Sequence, residues 1–295
     1  MTSISHSLLL LSSPSSIKTV ESMFLTFEST DCNAYTLSLL CAFTTPDHGA
    51  TQGDPQRAAT VQLSALLCLK ATIFKNWRPR GGSGLLRSKS NNVVNTETAP
   101  TTLTDVTKSH IRSTLQTAVT NTPQTAIFNS PMLNTLSLII ARVGRYDIAH
   151  EWPTIVPTLL SLVHNNTFAL NCLNKLVKEL ATQRILSHKK NFEEVSSNTF
   201  GPLSNLYMSV LPTMLTSTQA MSSIPESGLV HLKILTKTIY KLIINTLPVL
   251  IAKHGEAVGR FFEQNRAAMG HLVRYFSTDM SESPNNVQLF KIIDR

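Results

Sequence analysis

The 295-residue sequence contains little charge and little cysteine, and both shortages exclude whole classes of protein. Charged residues make up 15% of the chain, well below the roughly 25% of an average globular domain, while 42% of its residues are hydrophobic. A wholly disordered chain shows the opposite balance. Four cysteines are too few for a small disulfide-stabilised scaffold. With 11 glycines and 14 prolines, the chain is not collagen-like or of low complexity throughout.

Long apolar runs are also missing. The leucines at 8–11 lack both the preceding basic residues and the length of a signal peptide. With their serine-rich surroundings, they predict a disordered N-terminal tail over residues 1–17. The strongest apolar stretch, 234–251, is interrupted by two lysines, an asparagine and a proline, so we expect no membrane insertion.

Motifs for catalysis or for metal binding do not occur in the sequence. No two histidines lie four residues apart, and no C-x2-C pair accompanies them. No G-x-S-x-G marks a nucleophile. The glycine-rich segment 81–84 is not followed by the Lys-Ser/Thr of a phosphate loop. We therefore expect a protein that is not an enzyme and has no metal or cofactor.

The sequence does contain helical periodicity. Apolar residues recur three and four positions apart, and no sustained two-residue alternation is present. Prolines after polar residues and short polar clusters separate the periodic segments, as at helix starts. The predicted helices cover residues 18–29, 33–44, 56–77, 104–120, 131–145, 152–164, 167–187, 190–216, 227–251 and 256–277.

In pairs, these helices form units of about 40–50 residues, the size of a HEAT-type repeat. The prediction is an all-α fold, a right-handed α-α superhelix of the HEAT/armadillo solenoid type with about five helix pairs. A single globular helical domain is the alternative. Repeats 1–3 are expected at 18–164 and further repeats at 165–295. Segment 78–104, rich in Gly, Ser, Asn and Thr, is predicted to be a flexible basic loop.

Positive charge is concentrated around this loop. Seven Lys or Arg residues and no acidic residue occur between positions 55 and 96. Such a patch suits an acidic protein surface. Aromatic residues are not interleaved with it, so we expect no specific nucleic acid. The predicted basic patch consists of Lys70, Lys75, Arg78, Arg80, Arg87 and Lys89.

Two segments resemble a known family. Segment 69–77 (LKATIFKNW) looks like the L-K-N-x-I-x-x-x-W helix of the importin-β (karyopherin) superfamily of nuclear transport receptors. Segment 138–160 resembles the Trp-Pro hairpin of that family's third repeat. Segment 231–237 is similar to a helix of the importin-11 branch, which we favour within the family. The resemblance assigns structural roles to Trp77, Arg145, Asp147, Trp152, Pro153 and Pro157. Among these, Pro153 is expected to open a helix, and Asp147 to hold a turn through its side chain.

The resemblance also implies a function. It implies a shuttling protein of nucleus and cytoplasm that passes the nuclear pore and binds Ran-GTP through the inner helices of its first repeats. Protein cargo would bind on later repeats and phenylalanine-glycine (FG) nucleoporins between outer helices. Family members are much longer arches, so we expect an N-terminal part of one. The inner helices would be 33–43, 105–119 and 151–163, and helix geometry selects as Ran contacts Tyr35, Leu39, Ser109 and Arg112.

A second hypothesis stays open at this point. The chain could be a generic HEAT-repeat scaffold that binds an acidic protein partner and has no relation to Ran. The two hypotheses differ in one testable property, because only the first requires binding that depends on the nucleotide state of a GTPase.

Overall fold

The structure is a computed structural model that describes residues 4–11, 13, 15–47, 51–77, 102–122, 131–182, 186–219 and 226–278. Within these ranges the regular structure is α-helical, without a strand. The helices are α1 Ile4–Leu10, α2 Ile17–Thr30, α3 Cys32–Thr44, α4 Pro55–Asn76, α5 Asp105–Asn121, α6 Pro131–Asp147, α7 Ile155–Leu162, α8 Thr167–Ala181, α9 Leu186–Gln219 and α10 Glu226–Thr278.

Side-chain caps explain why three of the described helices begin within one residue of the predicted positions. Asp31 accepts hydrogen bonds from the backbone N–H groups of Asn33 and Ala34, and so separates α2 from α3. Asp54 accepts from the N–H of Gln56 at 2.8 Å and is followed by a proline at the first helical position of α4. Asn166 caps α8 in the same way, through the N–H of Ala169.

The N-terminal segment differs from its prediction as a disordered tail over 1–17. Ile4–Leu10 forms helix α1, and the side chain of Leu8 is fully buried. Helix α1 packs against α2, α3 and α4. A seven-residue helix is not stable by itself, so burial of its apolar side chains against three neighbours is what holds it. Sequence reasoning missed this because the leucine run is too short to show a period.

The chain divides into two compact units. Unit 1 comprises Met1–Ala118 and Ile127–Tyr146, and unit 2 comprises Val119–Ala126 and Asp147–Arg295. The main boundary between the two units lies at residues 146–147. The sequence analysis predicted a boundary at 164–165, between repeats 1–3 and the further repeats. The assignment of individual repeats stays a prediction.

In unit 1, helix α4 lies at the centre of the packing. It contacts α1 and α3, and its side chains Leu66, Leu69 and Ile73 are fully buried. A polar link joins its C-terminal end to α2. The buried carboxylate of Glu28 accepts from Asn76 Nδ2 at 2.7 Å and from Lys75 Nζ at 3.1 Å.

In unit 2, helix α8 takes the central position. It contacts α7, α9 and α10, and its buried residues include Leu170, Leu173 and Leu176. The two long helices α9 and α10 also pack along each other. One link between them is the phenol of Tyr207, which donates to Asn265 Oδ1 at 2.6 Å. Burial raises the pKa of this phenol.

Helix α10 is interrupted twice. Thr246 (φ −136°, ψ 21°) and His254 (φ −138°, ψ 30°) leave helical geometry. The first interruption lies two residues before Pro248, which cannot donate a helical hydrogen bond. The second falls within the predicted break between the helices 227–251 and 256–277. There the imidazole Nε2 of His254 forms a 2.8 Å hydrogen bond with the carbonyl of Ser197 on α9.

Two helices, α4 and α10, are long and apolar enough to cross a membrane by length and composition alone. Each buries side chains against neighbouring helices of its own unit. Core helices of helical domains pass the same test, so this property does not distinguish a membrane span from a core helix.

Candidate interaction surfaces

The two predicted Ran contacts on α3 lie in the core of unit 1. Leu39 is fully buried and Tyr35 is 4% exposed. The ring of Tyr35 packs against Phe24 and Phe27 of α2, at centroid distances of 5.8 and 5.4 Å. Desolvation raises the pKa of the Tyr35 phenol. In this structure neither side chain is available to a partner, so both hold α3 against its neighbours.

The other two predicted contacts lie nearer the surface of α5. Ser109 is exposed and Arg112 is half-buried, and their spacing of three places them on one face of the helix. The start of α5 is anchored to α3, because Asn33 Oδ1 accepts from the N–H of Thr104 at 2.9 Å. The ammonium group of Lys108 lies 6.0 Å from the ring centroid of Trp77. This face of α5 is therefore held in a defined position.

Only part of the predicted basic patch lies within the described residues. Arg78, Arg80, Arg87 and Lys89 are outside them, as is the predicted loop 78–104 up to residue 101. Lys75 is held in the ion pair with Glu28, at 3.1 Å. The ammonium group of Lys70 lies 5.9 Å from the ring centroid of Phe74.

Helix α6 adds cations and a ring that the sequence did not place with this patch. The guanidinium of Arg142 lies 4.8 Å from the ring centroid of Phe74 and 5.3 Å from that of Tyr146. Arg145 lies 5.8 Å from the same Tyr146 ring. We call these residues the basic–aromatic cluster: Lys70, Phe74, Arg142, Arg145 and Tyr146.

The spacing of three residues in the sequence was a partial indication of this cluster. Arg142, Arg145 and Tyr146 follow the spacing of one helix face, but nothing in a linear pattern shows that this face meets Phe74 on α4. Cation–π contacts attract the two guanidinium groups to these aromatic rings. Arginine N–H groups donate well to carboxylates. The cluster therefore suits contact with acidic side chains of a partner protein.

Three of the residues to which the resemblance assigned structural roles are buried. Trp77 and Trp152 are each 3% exposed, and Asp147 is buried. The turn after α6 uses the backbone carbonyl of Asp147, which accepts from the N–H groups of His150, Glu151 and Trp152 at 3.3, 2.9 and 2.7 Å.

The prolines of the Trp-Pro hairpin are exposed. Pro153 lies in the turn that precedes α7, which begins at Ile155, two residues later than a helix opened by Pro153 would begin. Pro157 lies in the first turn of α7, where a missing N–H leaves no helical hydrogen bond unmade. Arg145 is half-buried and belongs to the basic–aromatic cluster.

Three further features of the described residues concern metal binding, cysteine thiols and a groove. In these parts of the chain no group of three or more His, Cys, Asp or Glu side chains could hold a metal ion. Burial raises the pKa of the thiols of Cys32, Cys68 and Cys172, which keeps them protonated and weakly nucleophilic. An open groove of about 530 Å³ between α9 and α10 is lined by residues that include Met208, Arg260 and Glu263.

Comparison with solved structures identifies the fold. The chain is similar to Lph2, described as a novel bidirectional nuclear transport receptor in S. cerevisiae, with a TM-score of 0.66 and 15% sequence identity. The match covers 96% of this chain and 25% of the receptor. No protein-family model matches the chain, and no curated protein matches its sequence.

At this level of identity the similarity establishes fold and not function. The predicted all-α fold of the HEAT/armadillo solenoid type is confirmed, because the chain matches a karyopherin-like helical solenoid over nearly its whole length. The match gives no support to the importin-11 branch in particular.

Proposed function

We propose that the chain is part of a karyopherin-type nuclear transport receptor that binds Ran-GTP and protein cargo. The observation that carries this proposal is the fold similarity to a solved nuclear transport receptor over 96% of the chain. The Trp-Pro hairpin at 138–160, found in the sequence independently of the fold, supports the same family. Its resemblance to the third repeat of that family supports a position among the N-terminal repeats.

The architecture favours binding over catalysis. Stacked helix pairs present extended surfaces to proteins, and each pair contacts mainly its neighbours. A receptor built in this way needs no chemistry of its own. Contact with FG nucleoporins and shuttling between nucleus and cytoplasm follow from the same proposal. Within the karyopherin superfamily, the resemblance of segment 231–237 supports the importin-11 branch as the most specific version of this proposal.

For Ran, we assign the contact to the face of α5 that contains Ser109 and Arg112. These two side chains reach the surface, while Tyr35 and Leu39 are buried in the core of unit 1. Arginine contributes a charge that forms directed hydrogen bonds to carboxylates. Replacing Arg112 with an acidic residue is therefore the substitution that we expect to weaken Ran binding most clearly.

The test is a binding assay with Ran loaded with a GTP analogue or with GDP. We expect the purified chain to bind the GTP form only, and Arg112→Glu to weaken that binding about tenfold or more, because it exchanges an attraction for a repulsion. Arg266→Glu, an equal charge change at an exposed position of α10 in unit 2, is the matched control. It should leave the affinity within about twofold. Equal binding of the two nucleotide states would contradict the proposal.

A scaffold that binds an acidic protein is the second candidate. The basic–aromatic cluster favours it, because Arg142 and Arg145 are half-buried on one face of α6 and lie against aromatic rings that hold their positive charges in place. On this hypothesis Arg142→Gln would weaken capture of an Asp/Glu-rich protein, and the nucleotide state of Ran would have no effect.

A further inference from the structure

Four lysines converge in unit 2, away from the residues used above. Lys175 and Lys178 lie three positions apart on α8, and Lys237 and Lys241 lie four apart on α10. Such spacings place each pair on one face of its helix, and the two helices pack together. The positive charges of Lys178, Lys175 and Lys237 all act on the ammonium group of Lys241. We call these four residues the lysine cluster.

Lys241 is the fixed centre of this cluster. Its side chain is half-buried, and its Nζ donates to Asn174 Oδ1 of α8 at 2.7 Å. Asn174 is itself buried, so the hydrogen bond holds the ammonium group in a defined place. Burial, followed by the three neighbouring charges, lowers the pKa of Lys241 to about 8. Like charges gathered in this way repel one another and destabilise the folded state.

Three of the four lysines, Lys175, Lys178 and Lys241, have no ion pair within the described residues. The only acidic residue on α8 is Glu179, and α10 contains none between Glu226 and Glu256. This differs from Lys75 in unit 1, which has Glu28 as a partner. The positive charges of Lys175, Lys178 and Lys241 are therefore not balanced by an ion pair within the part of the chain that the structure describes.

We propose that the lysine cluster is a binding site for a phosphate group with two or more negative charges. Ammonium groups are compact point charges, and several of them around one centre match an anion that concentrates its charge. A phosphate monoester provides about two charges and three acceptor oxygens, whereas a carboxylate provides one charge. The group could belong to a phosphorylated segment of a partner protein or to a free polyphosphate, and both share this chemistry.

Titration of the full chain tests the proposal directly. The probes are inorganic tripolyphosphate, followed by calorimetry, and a fluorescent phosphoserine peptide, followed by anisotropy. We expect saturable binding of at least one probe, weakened about tenfold or more in Lys178→Gln/Lys237→Gln, because two charge-assisted contacts are lost. The matched control is Lys189→Gln/Lys190→Gln, which removes the same charge from exposed positions at the start of α9. It should change the affinity less than about twofold.

Labelling of lysines provides a readout that needs no variant. Trace acetylation near pH 8, read by mass spectrometry, should modify Lys241 readily in the free chain, because a large fraction of its amine is uncharged there. A bound anion stabilises the ammonium form and covers it, so tripolyphosphate should protect Lys241 and leave Lys189 unchanged. This result would support the site even if the double variant failed to fold.

Each outcome of these experiments either supports or overturns the proposal. Tighter binding of the phosphoserine peptide would identify the ligand as a phosphorylated protein segment, and tighter binding of tripolyphosphate would identify a free polyphosphate. Either supports the proposal. Equal losses in the cluster and control variants, no protection of Lys241, or equal binding of an aspartate-substituted peptide would overturn it. None of these results depends on whether the chain binds Ran.

Discussion

The two units place their positive charges in different surroundings. In unit 1, Lys75 is paired with the buried carboxylate of Glu28, and Lys70, Arg142 and Arg145 lie against aromatic rings. In unit 2, Lys241 donates to an amide oxygen and feels the positive charges of three further lysines. In unit 1 these positive charges interact with a carboxylate and with aromatic rings of the protein itself. The arrangement in unit 2 leaves electrostatic repulsion that an external anion would relieve.

The largest effect should come from truncating the central helix of either unit. Leu69→Ala in α4 and Leu173→Ala in α8 each remove a fully buried side chain. Each should destabilise its unit by about 2–5 kcal/mol, through lost burial and the cavity left behind. Urea unfolding followed by circular dichroism measures this.

The control for this pair is Leu67→Ala, also on α4, where the side chain is 49% exposed. It should change stability by about 0.5 kcal/mol or less. If the two buried substitutions had no larger effect than this control, the assignment of α4 and α8 as the central helices would be wrong.

An intermediate effect should come from the polar link of unit 1. Glu28→Gln keeps the shape of the side chain but removes the charge that accepts from Lys75 and Asn76. We expect a loss of about 1–2 kcal/mol, because hydrogen bonds to a charged group in a buried site are the stronger kind. The exposed half of Lys75 limits the contribution of the ion pair itself.

Thermal unfolding of Glu28→Gln can be compared with that of Glu21→Gln. Glu21 is exposed on the same helix α2, so its neutralisation should leave the melting temperature almost unchanged. A similar shift in both variants would show that unit 1 responds to net charge and not to the specific link.

The smallest effect should be a pH dependence in unit 2. The folded-state pKa of Lys241, about 8, lies below its ordinary value of 10.5. Between these values the unfolded chain binds more protons, so this group makes the protein more stable as the pH rises. Lys241→Met removes the titrating group. We therefore expect a stability advantage of the variant near pH 7 that shrinks toward pH 10, measured by melting temperature.

Melting temperatures of Lys75→Met, in unit 1, measured over the same range of pH allow the two lysines to be compared. Lys75 is stabilised by Glu28 and should not produce an advantage for the variant at neutral pH. If the two variants behaved alike, the contrast between satisfied and unsatisfied charges would not hold.

Helix positions followed from the sequence because they depend on local rules. Asp31, Asp54 and Asn166 cap the helices that they precede, and the break at His254 was visible in the residues around it. Helix α1 was missed because seven residues contain too little periodicity, and its stability comes from distant helices.

The candidate sites depended on information that is not local. Helix geometry identified the face of α3 that contains Tyr35 and Leu39, but not that this face is turned into the core. In the same way, the spacing of Arg142 and Arg145 showed one face of α6 but not its neighbour Phe74. A periodic pattern shows which residues share one side of a helix, but it does not show which other part of the protein packs against that side.

By itself, the sequence determined that this protein is helical, where nearly all of its helices begin, and that it follows the pattern of a repeat protein. Caps, prolines and apolar spacing act within a few residues of one another, so a linear reading reveals them. Only the tertiary structure decided which charges lie beside a carboxylate and which lie beside an amide oxygen and other lysines. Lys75 meets a carboxylate 47 positions away, and Lys241 meets an asparagine 67 positions away. Electrostatic energy depends on distance in space, and packing alone sets that distance.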